Sequence, residues 1–495
     1  MGSVVEEPVR EGLRGRPLGL TVVTHDEGPV DGPHDVLASP GGRWSSEVFD
    51  VPLGDDRHVV YAPLRRAAFV TTTAGRDALA RLDDAAAPVD PDLLAFLRSM
   101  GLVDGGPEAP PDDLLTGPTV PTAVTLFLTT ACNLRCDYCY ASAGDTVQEW
   151  MPWPVARQAV DTVVDNAVAT GADRVALALH GGGEPTLNWE VLTAAVERLR
   201  DRATAAGLAA TVTLATNGVL PPARADWLAA HVDSASISCD GLPEVQDAHR
   251  PRVGGAGSSA PLMRTLERFD AAGFRYNLRV TVTRDQIPRL ADSVEFLATR
   301  FRPRRIQVEP AYRLGRWADA TSAETTEFVD AYRTAQLRAD DAGVGLFYSA
   351  ARLGLVSHHF CGVTRDTFAV TPGGAISGCY EVFSDASPQA DGFVYGRSDP
   401  DGDGYLVDTT RRDSLRAHAT GHHDFCSGCF AKWSCAGDCL HKARSEHPGQ
   451  SFRGSQRCHI TRALTADQLV RAIGEAGGLR WYAGPDGTDP TEETS

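Results

Sequence analysis

Eleven cysteines run through this 495-residue chain, and ten of them fall into two groups with regular spacing. Cys132, Cys136 and Cys139 form a C-x3-C-x2-C run. Three thiolates on one short loop can ligate three irons of a four-iron cluster, which leaves the fourth iron open to a substrate or cofactor. A partial zinc site is the alternative, but structural zinc sites normally close with four ligands, and no fourth partner stands nearby in the sequence. The second group is Cys361, Cys379, then Cys426-x2-Cys429-x5-Cys435-x3-Cys439, then Cys458. A zinc ribbon of Cys426, Cys429, Cys435 and Cys439 is conceivable there, yet it leaves Cys361, Cys379 and Cys458 without a role. The remaining Cys239 suits a small buried hydrophobe. The N-terminus has no secretory signal, so the expected compartment is a reducing cytosol, where clustered cysteines read as metal or catalytic groups.

The elements that position these groups follow from periodicity. From Pro121 the text alternates strand, loop and helix. Apolar, β-branched strands are expected at Val124–Thr129, Arg174–Leu179, Ala210–Ala215, Ser234–Ser238, Tyr276–Thr283 and Arg305–Glu309, with helical stretches such as Val155–Ala169, Val191–Ala206 and Ala291–Phe301 between them. That alternation predicts an α/β fold with a parallel sheet, and six units suggest a partial TIM-like barrel. Residues 1–45 carry no periodic signal and read as an extended segment. Residues 46–115 read as a small winged-helix-like α+β module: three short strands from Glu47 to Val70, then helices at Ala78–Leu82 and Pro91–Met100. The barrel is expected over 121–320, a helical bridge over 321–355, the cysteine-rich domain over 356–462, and a last helix with a disordered acidic tail over 463–495.

Charge and hydropathy exclude other roles. Lys plus Arg total 47 against 65 Asp plus Glu, a net charge of −18. Binding to a polyanion requires clustered basic residues, so no nucleic-acid partner is expected. No apolar run approaches a membrane span.

The first cysteine run follows the first expected barrel strand, and in that position it resembles the signature of radical SAM enzymes. His180-Gly181-Gly182-Gly183-Glu184-Pro185-Thr186 is similar to the family's glycine-glycine-glutamate loop after strand 2, although a glycine-rich loop alone is only a tight turn. Thr216-Asn217-Gly218 after strand 3 and Ser236-Ile237-Ser238-Cys239-Asp240-Gly241 after strand 4 match family patterns, and Arg279 lies on strand 5. The resemblance implies that Tyr138, Gly181, Gly182, Gly183, Glu184, Pro185, Thr216, Asn217, Ser236, Ser238, Asp240 and Arg279 surround S-adenosylmethionine. These positions all sit at C-terminal strand ends, where barrel folds build sites. The resemblance also implies reductive cleavage of S-adenosylmethionine to a 5′-deoxyadenosyl radical, with the cofactor carrying the hard step.

The second group resembles the SPASM domain, a seven-cysteine module of many radical SAM enzymes. By that resemblance Cys426, Cys429, Cys435 and Cys458 hold one auxiliary cluster, and Cys361, Cys379 and Cys439 hold another that is one ligand short. The expectation is three 4Fe-4S clusters, about 12 irons per chain. Candidate catalytic residues are Glu381 and Tyr380, which follow Cys379, and Gln307 and Glu309 at the end of strand 6. The pairs His358-His359 and His422-His423 are expected to pack or lie on the surface.

The expected function is radical modification of a ribosomally made peptide by cross-linking, epimerisation or desaturation. A leader peptide would add to a free sheet edge of the N-terminal module. Alternatives are a radical enzyme acting on a small molecule such as a sugar or nucleoside, and an iron–sulfur electron carrier. A reductant such as flavodoxin or ferredoxin is the expected electron source.

Overall fold

The computed structural model describes residues 35–54, 56–145, 147–318, 324–402, 404–420, 424–446, 456–477 and 480–482. Residues 1–34, the pair His422-His423 and the acidic tail from Asp486 lie outside the described residues. The chain divides into two compact units, residues 1–114, 350–360 and 419–495 in one and 115–349 and 361–418 in the other.

In the first unit, strands β1 (Val36–Ala38), β2 (Val48–Gly54), β3 (Arg57–Ala62) and β4 (Ala67–Thr72) are hydrogen-bonded in sequence order, all antiparallel. Their apolar residues Val48, Val60 and Phe69 close over Leu79, Leu97 and Met100 to form a core. Helix Thr73–Ala80 starts where the Thr72 hydroxyl accepts from Gly75 N, and helix Pro91–Ser99 starts at Asp90 with proline in its first turn. Both are standard N-terminal devices that satisfy amides the helix leaves unpaired. β1 covers part of β2, and a short strand from the far end of the chain covers part of β4.

The second unit holds an 11-stranded mixed sheet. Its strands are β5 (Ala123–Phe127), β6 (Arg174–His180), β7 (Ala209–Thr216), β8 (Ser234–Ser238), β9 (Tyr276–Val282), β10 (Arg305–Pro310), β11 (Gly345–Phe347), β12 (Ala369–Val370), β13 (Ala375–Ser377), β14 (Val394–Ser398) and β15 (Tyr405–Val407). The six expected strands are consecutive parallel neighbours, β5 to β10. The sheet then extends beyond them on both sides: β11 lies parallel to β10, β12 parallel to β5, and β13 to β15 continue antiparallel. Neither short β11 nor short β12 has enough residues to show a period. Helices Trp153–Thr170 and Trp189–Ala206 each stop at a glycine in left-handed conformation, Gly171 (φ 69°) and Gly207 (φ 70°), a position that penalises a Cβ.

The last strand, β16 (Arg480–Tyr482), returns to the first unit and pairs antiparallel with β4 from Ala67 to Phe69. A short strand on each side blunts the exposed ladder that an edge would otherwise present.

Beside β14, helix Thr409–Arg416 is fixed by its last residue. Arg416 Nε donates to Asp366 Oδ1 at 2.8 Å, and Nη2 donates to Asp366 Oδ2, with both side chains nearly closed to solvent. Arg416→Met leaves Asp366 enclosed without its cation, which costs about 3–5 kcal/mol. The expected result is a clear fall in denaturation midpoint, whereas Arg174→Met, at the fully exposed Asp173 pair, leaves the midpoint unchanged.

Candidate active site

Parallel pairing places a polar stripe across one face of the second unit's sheet. Along β6 the burial alternates, with Val175, Leu177 and Leu179 buried and Ala176, Ala178 and His180 on the less buried face. Register carries this face sideways: Ala215 pairs with Ser236, Ser238 with Arg279, and Arg279 with Gln307. Ser236, Ser238 and Gln307 are half-buried and Arg279 is exposed. Four polar candidates from three strands thereby share one surface.

The C-terminal ends of β5 to β7 carry the other candidates. Cys132, Cys136 and Cys139 are half-buried on the loop after β5. Leu134 N donates to Cys132 Sγ at 3.4 Å, and Cys139 N to the Cys136 carbonyl at 3.3 Å. Burial pushes the Cys132 thiol up to about 12, helped by the negative charge of Glu184 and by the neighbouring thiols. Burial likewise pushes Cys136 up to about 11, with Arg250 and Arg316 pulling the other way. Three thiols on one loop can ligate three irons of a four-iron cluster, which binds the thiolate form. Among the described residues no three His, Cys, Asp or Glu side chains are close enough to hold a single metal ion.

The glycine loop is shaped by what it passes. Gly183 N donates to Thr129 O at 3.0 Å and Glu184 N to Ala131 O at 2.8 Å, so the loop is pinned to the chain entering the cysteine run. A Cβ on Gly183 would lie 2.0 Å from the Ala131 carbonyl oxygen, and one on Gly182 would lie 2.1 Å from the Phe383 ring. Glu184 is buried with Pro185 behind it. Its Oε1 accepts from the Thr186 and Thr216 hydroxyls at 2.7 and 2.8 Å, and its Oε2 from Asn217 N at 2.8 Å. Burial raises its affinity for a proton, and these hydrogen bonds oppose the rise. Asn217 Nδ2 donates to Asn133 Oδ1 at 2.7 Å and lies 3.8 Å from Cys132 Sγ. Glu184 thus ties the ends of β6 and β7 together beside the first thiol.

Tyr138 and Asp240 form a second tie. The Tyr138 hydroxyl donates to Asp240 Oδ2 and accepts from Arg250 Nη1 at 2.7 Å, and Thr281 N donates to Asp240 Oδ1 at 3.2 Å. Burial raises both Tyr138 and Asp240, while the Arg250 cation lowers them. Sequence reasoning missed Arg250, because a lone arginine after a helix gives no local signal. Cys239 is fully buried, and burial pushes its thiol up to about 12.

Tyr380 is 45% exposed and stacks on His180, with centroids 5.5 Å apart and planes at 23°. Its hydroxyl is 3.4 Å from Thr125 Oγ1. Half-buried Glu381 donates its amide to Cys379 Sγ at 3.4 Å, and its charge reaches both Tyr140 and His180. Cys379 is buried and Cys361 exposed. Glu309 is only 3% exposed; its Oε1 accepts from Gln307 Nε2 at 3.0 Å and Ser349 N at 2.9 Å. Tyr140 and Phe383 also line this cluster without having been singled out in the sequence.

Residues 126–297 match the Radical SAM superfamily. The chain carries a radical SAM domain. It is 29% identical over 340 residues to the mycofactocin maturase MftC of Mycobacterium ulcerans (strain Agy99), spanning 64% of this chain and 84% of that one. It is 28% identical over 181 residues to the sporulation killing factor maturation protein SkfB of Bacillus subtilis (strain 168), spanning 36% and 39%. The solved structure of native anSMEcpe with bound AdoMet superposes with a TM-score of 0.58 at 17% identity, over 72% of this chain and 99% of that one, a likeness of fold. The chain is an enzyme with a radical SAM domain and maturase homologues, and that domain implies a 4Fe-4S cluster and S-adenosylmethionine. No described helix is long and apolar enough to cross a membrane.

Two outcomes test this radical SAM site. Gly182→Ala lowers the melting temperature, and Phe383→Ala in the same chain restores part of the loss. Gly183→Ala is not rescued in this way, because its obstacle is backbone. Burial and the Arg279 charge push His180 down to about 4 from 6.5. The unfolded chain therefore binds a proton that the folded one refuses, so His180 withdraws stability as pH falls from 6.5 towards 4. His180→Asn should show a smaller loss than the parent across that window, measured by denaturation at each pH.

Proposed function

We propose that this enzyme cleaves S-adenosylmethionine reductively and uses the resulting 5′-deoxyadenosyl radical to take hydrogen from an unactivated C–H bond of a ribosomally made peptide. The single observation that carries the reading is the run of three half-buried thiols beside the Glu184–Asn217 tie. Cys132, Cys136 and Cys139 hold the iron. When bound, cluster and cofactor supply one electron and a carbon radical of high reactivity. The chain's own residues place and enclose it: Ser236, Ser238 and Arg279 offer hydroxyls and a cation for the cofactor's sugar and carboxylate, and Tyr138 and Asp240 fix the wall behind them.

The substrate side is the mouth where Tyr380, Glu381 and His180 meet. Glu381 is the candidate base and Tyr380 the exposed surface a substrate would touch, with Gln307 and Glu309 in supporting roles. The names of MftC and SkfB, a maturase and a maturation protein, favour a peptide over a sugar or nucleoside. The small antiparallel sheet of residues 46–115 supports a leader-peptide dock, on the parts of β2 and β4 that β1 and β16 leave uncovered.

Two auxiliary clusters complete the proposal. Cys426, Cys429 and Cys435 are largely buried; Cys426 feels the charges of Cys429 and Cys458, and Cys435 those of Asp438, Cys458, Cys426 and Cys429. Burial first raises both thiols far above their ordinary range, followed by the neighbouring thiols at Cys426 and by the Asp438 carboxylate and then the thiols at Cys435. Four such thiols fit one cubane. The set that begins with Cys361 and Cys379 holds the third cluster. A reductant such as flavodoxin or ferredoxin supplies the electron.

Reconstituted protein should carry about 12 irons per chain, falling to about 8 in Cys132→Ala, with loss of 5′-deoxyadenosine formation. Continued cofactor cleavage by Cys132→Ala would remove the assignment. Saturable binding of a precursor peptide encoded nearby to the full chain, by anisotropy, is the expected result for the substrate.

A further inference from the structure

Cys429 sits inside a bracket built by one residue distant in sequence. Asp35 N donates to Gly428 O at 2.8 Å, and Phe430 N donates to Asp35 Oδ2 at 3.1 Å, so Asp35 holds the backbone on both sides of the cysteine. The same carboxylate takes the guanidinium of Arg462 in a two-pronged pair: Nη2 donates to Oδ1 at 2.8 Å, and Nη1 donates to Oδ2. Arg462 Nη1 also donates to Cys429 Sγ at 3.5 Å. The guanidinium carbon stands 5.1 Å from the centre of the Phe430 ring. Asp35 is 8% exposed and Arg462 19%. A cation held this rigidly, out of bulk water, and aimed at one sulfur has no part in the radical SAM site described above.

We propose that the Asp35–Arg462 pair sets the reduction potential of the auxiliary cluster bound through Cys429. The inference rests on the auxiliary-cluster reading in Proposed function. Its physics is simple. Reduction adds negative charge to a cluster already bound by thiolates. A hydrogen bond and a positive charge at one sulfur stabilise the reduced form more than the oxidised form, so Arg462 raises the potential. The hydrogen bond is charge-assisted, and the carboxylate on the far side keeps the guanidinium flat and correctly turned. Asp35 also subtracts from the field it orients, because its negative charge stands behind the positive one. The two residues therefore act in opposite senses on the same metal centre, Arg462 as a donor to sulfur and Asp35 as its positioning and compensating partner. Lysine cannot reproduce the arrangement, since a point charge cannot bond a carboxylate twice and a sulfur once in one plane.

The test is a potentiometric titration, followed by electron paramagnetic resonance, of reconstituted full chain carrying Cys132→Ala. That background removes the signal of the first cluster and leaves the two auxiliary ones. Arg462→Met should move one of the two transitions to more negative potential and leave the other in place, with iron content unchanged. Arg462→Lys should recover part of the shift. Asp35→Asn, which keeps an oxygen for Phe430 N but removes the charge, should move the same transition the opposite way. A purely structural role would shift neither midpoint while iron content holds. An unmoved midpoint in Arg462→Met at full iron content, or shifts of the same sign in Arg462→Met and Asp35→Asn, would overturn the proposal. Should Arg462→Met lose iron, the Asp35→Asn shift alone decides. Failure of the underlying cluster reading looks different: Cys429→Ala would then keep the same iron content as its parent.

Discussion

A sulfur anion in an apolar setting is stable only next to a cation, and the radical SAM unit is organised around that fact. Burial pushes the Cys132 and Cys136 thiols up, and the carboxylate of Glu184 adds to the penalty at Cys132. Left alone, such a loop would stay protonated and inert. In the proposed site a cluster would reverse the balance, because the thiolate is the form that iron binds. The chain contributes by keeping the competing negative charge occupied. Glu184 receives hydrogen bonds from Thr186, Thr216 and Asn217, so its charge is held by the strand ends rather than offered to the cluster.

The same economy of charge recurs at Tyr138, Asp240 and Arg250, where a buried carboxylate, a phenol and a guanidinium satisfy one another. Such networks are stable only when complete, since a buried group without a partner costs far more than the pair returns. They make the walls of the site rigid. Rigid walls matter to a radical enzyme because a reactive intermediate must be shielded from water and from the wrong bond. By contrast, Tyr380 is the exposed member of the cluster at the mouth, the property expected of a surface that meets substrate.

Much of the fold was legible in the chain. Strand patterns such as Arg174–His180 and Ser234–Ser238 repeat with period two and are bounded by loops, so their positions and parallel order could be read directly. Short or unpatterned pieces could not. β11 and β12 have three and two residues, and they acquire strand geometry only by pairing with β10 and β5. β1 and β16 became edge strands for the same reason.

The sequence by itself determined how many thiols one loop presents and the run of glycines after β6, of which Gly183 lets backbone pass backbone where a Cβ would lie 2.0 Å from the Ala131 carbonyl oxygen. It also placed the six parallel strands to within one or two residues at their ends. Tertiary structure alone decided the partners. That Tyr380 lies on His180, that Arg250 closes over Tyr138 112 residues away, and that Asp35 holds Arg462 from 427 residues away are consequences of docking β12 on β5, of the parallel order of β5 to β8, and of closing the first unit on itself. Local patterns record what a residue's neighbours in the chain impose. Hydrogen bonds between distant side chains depend on packing, and packing is settled only when the whole unit has folded.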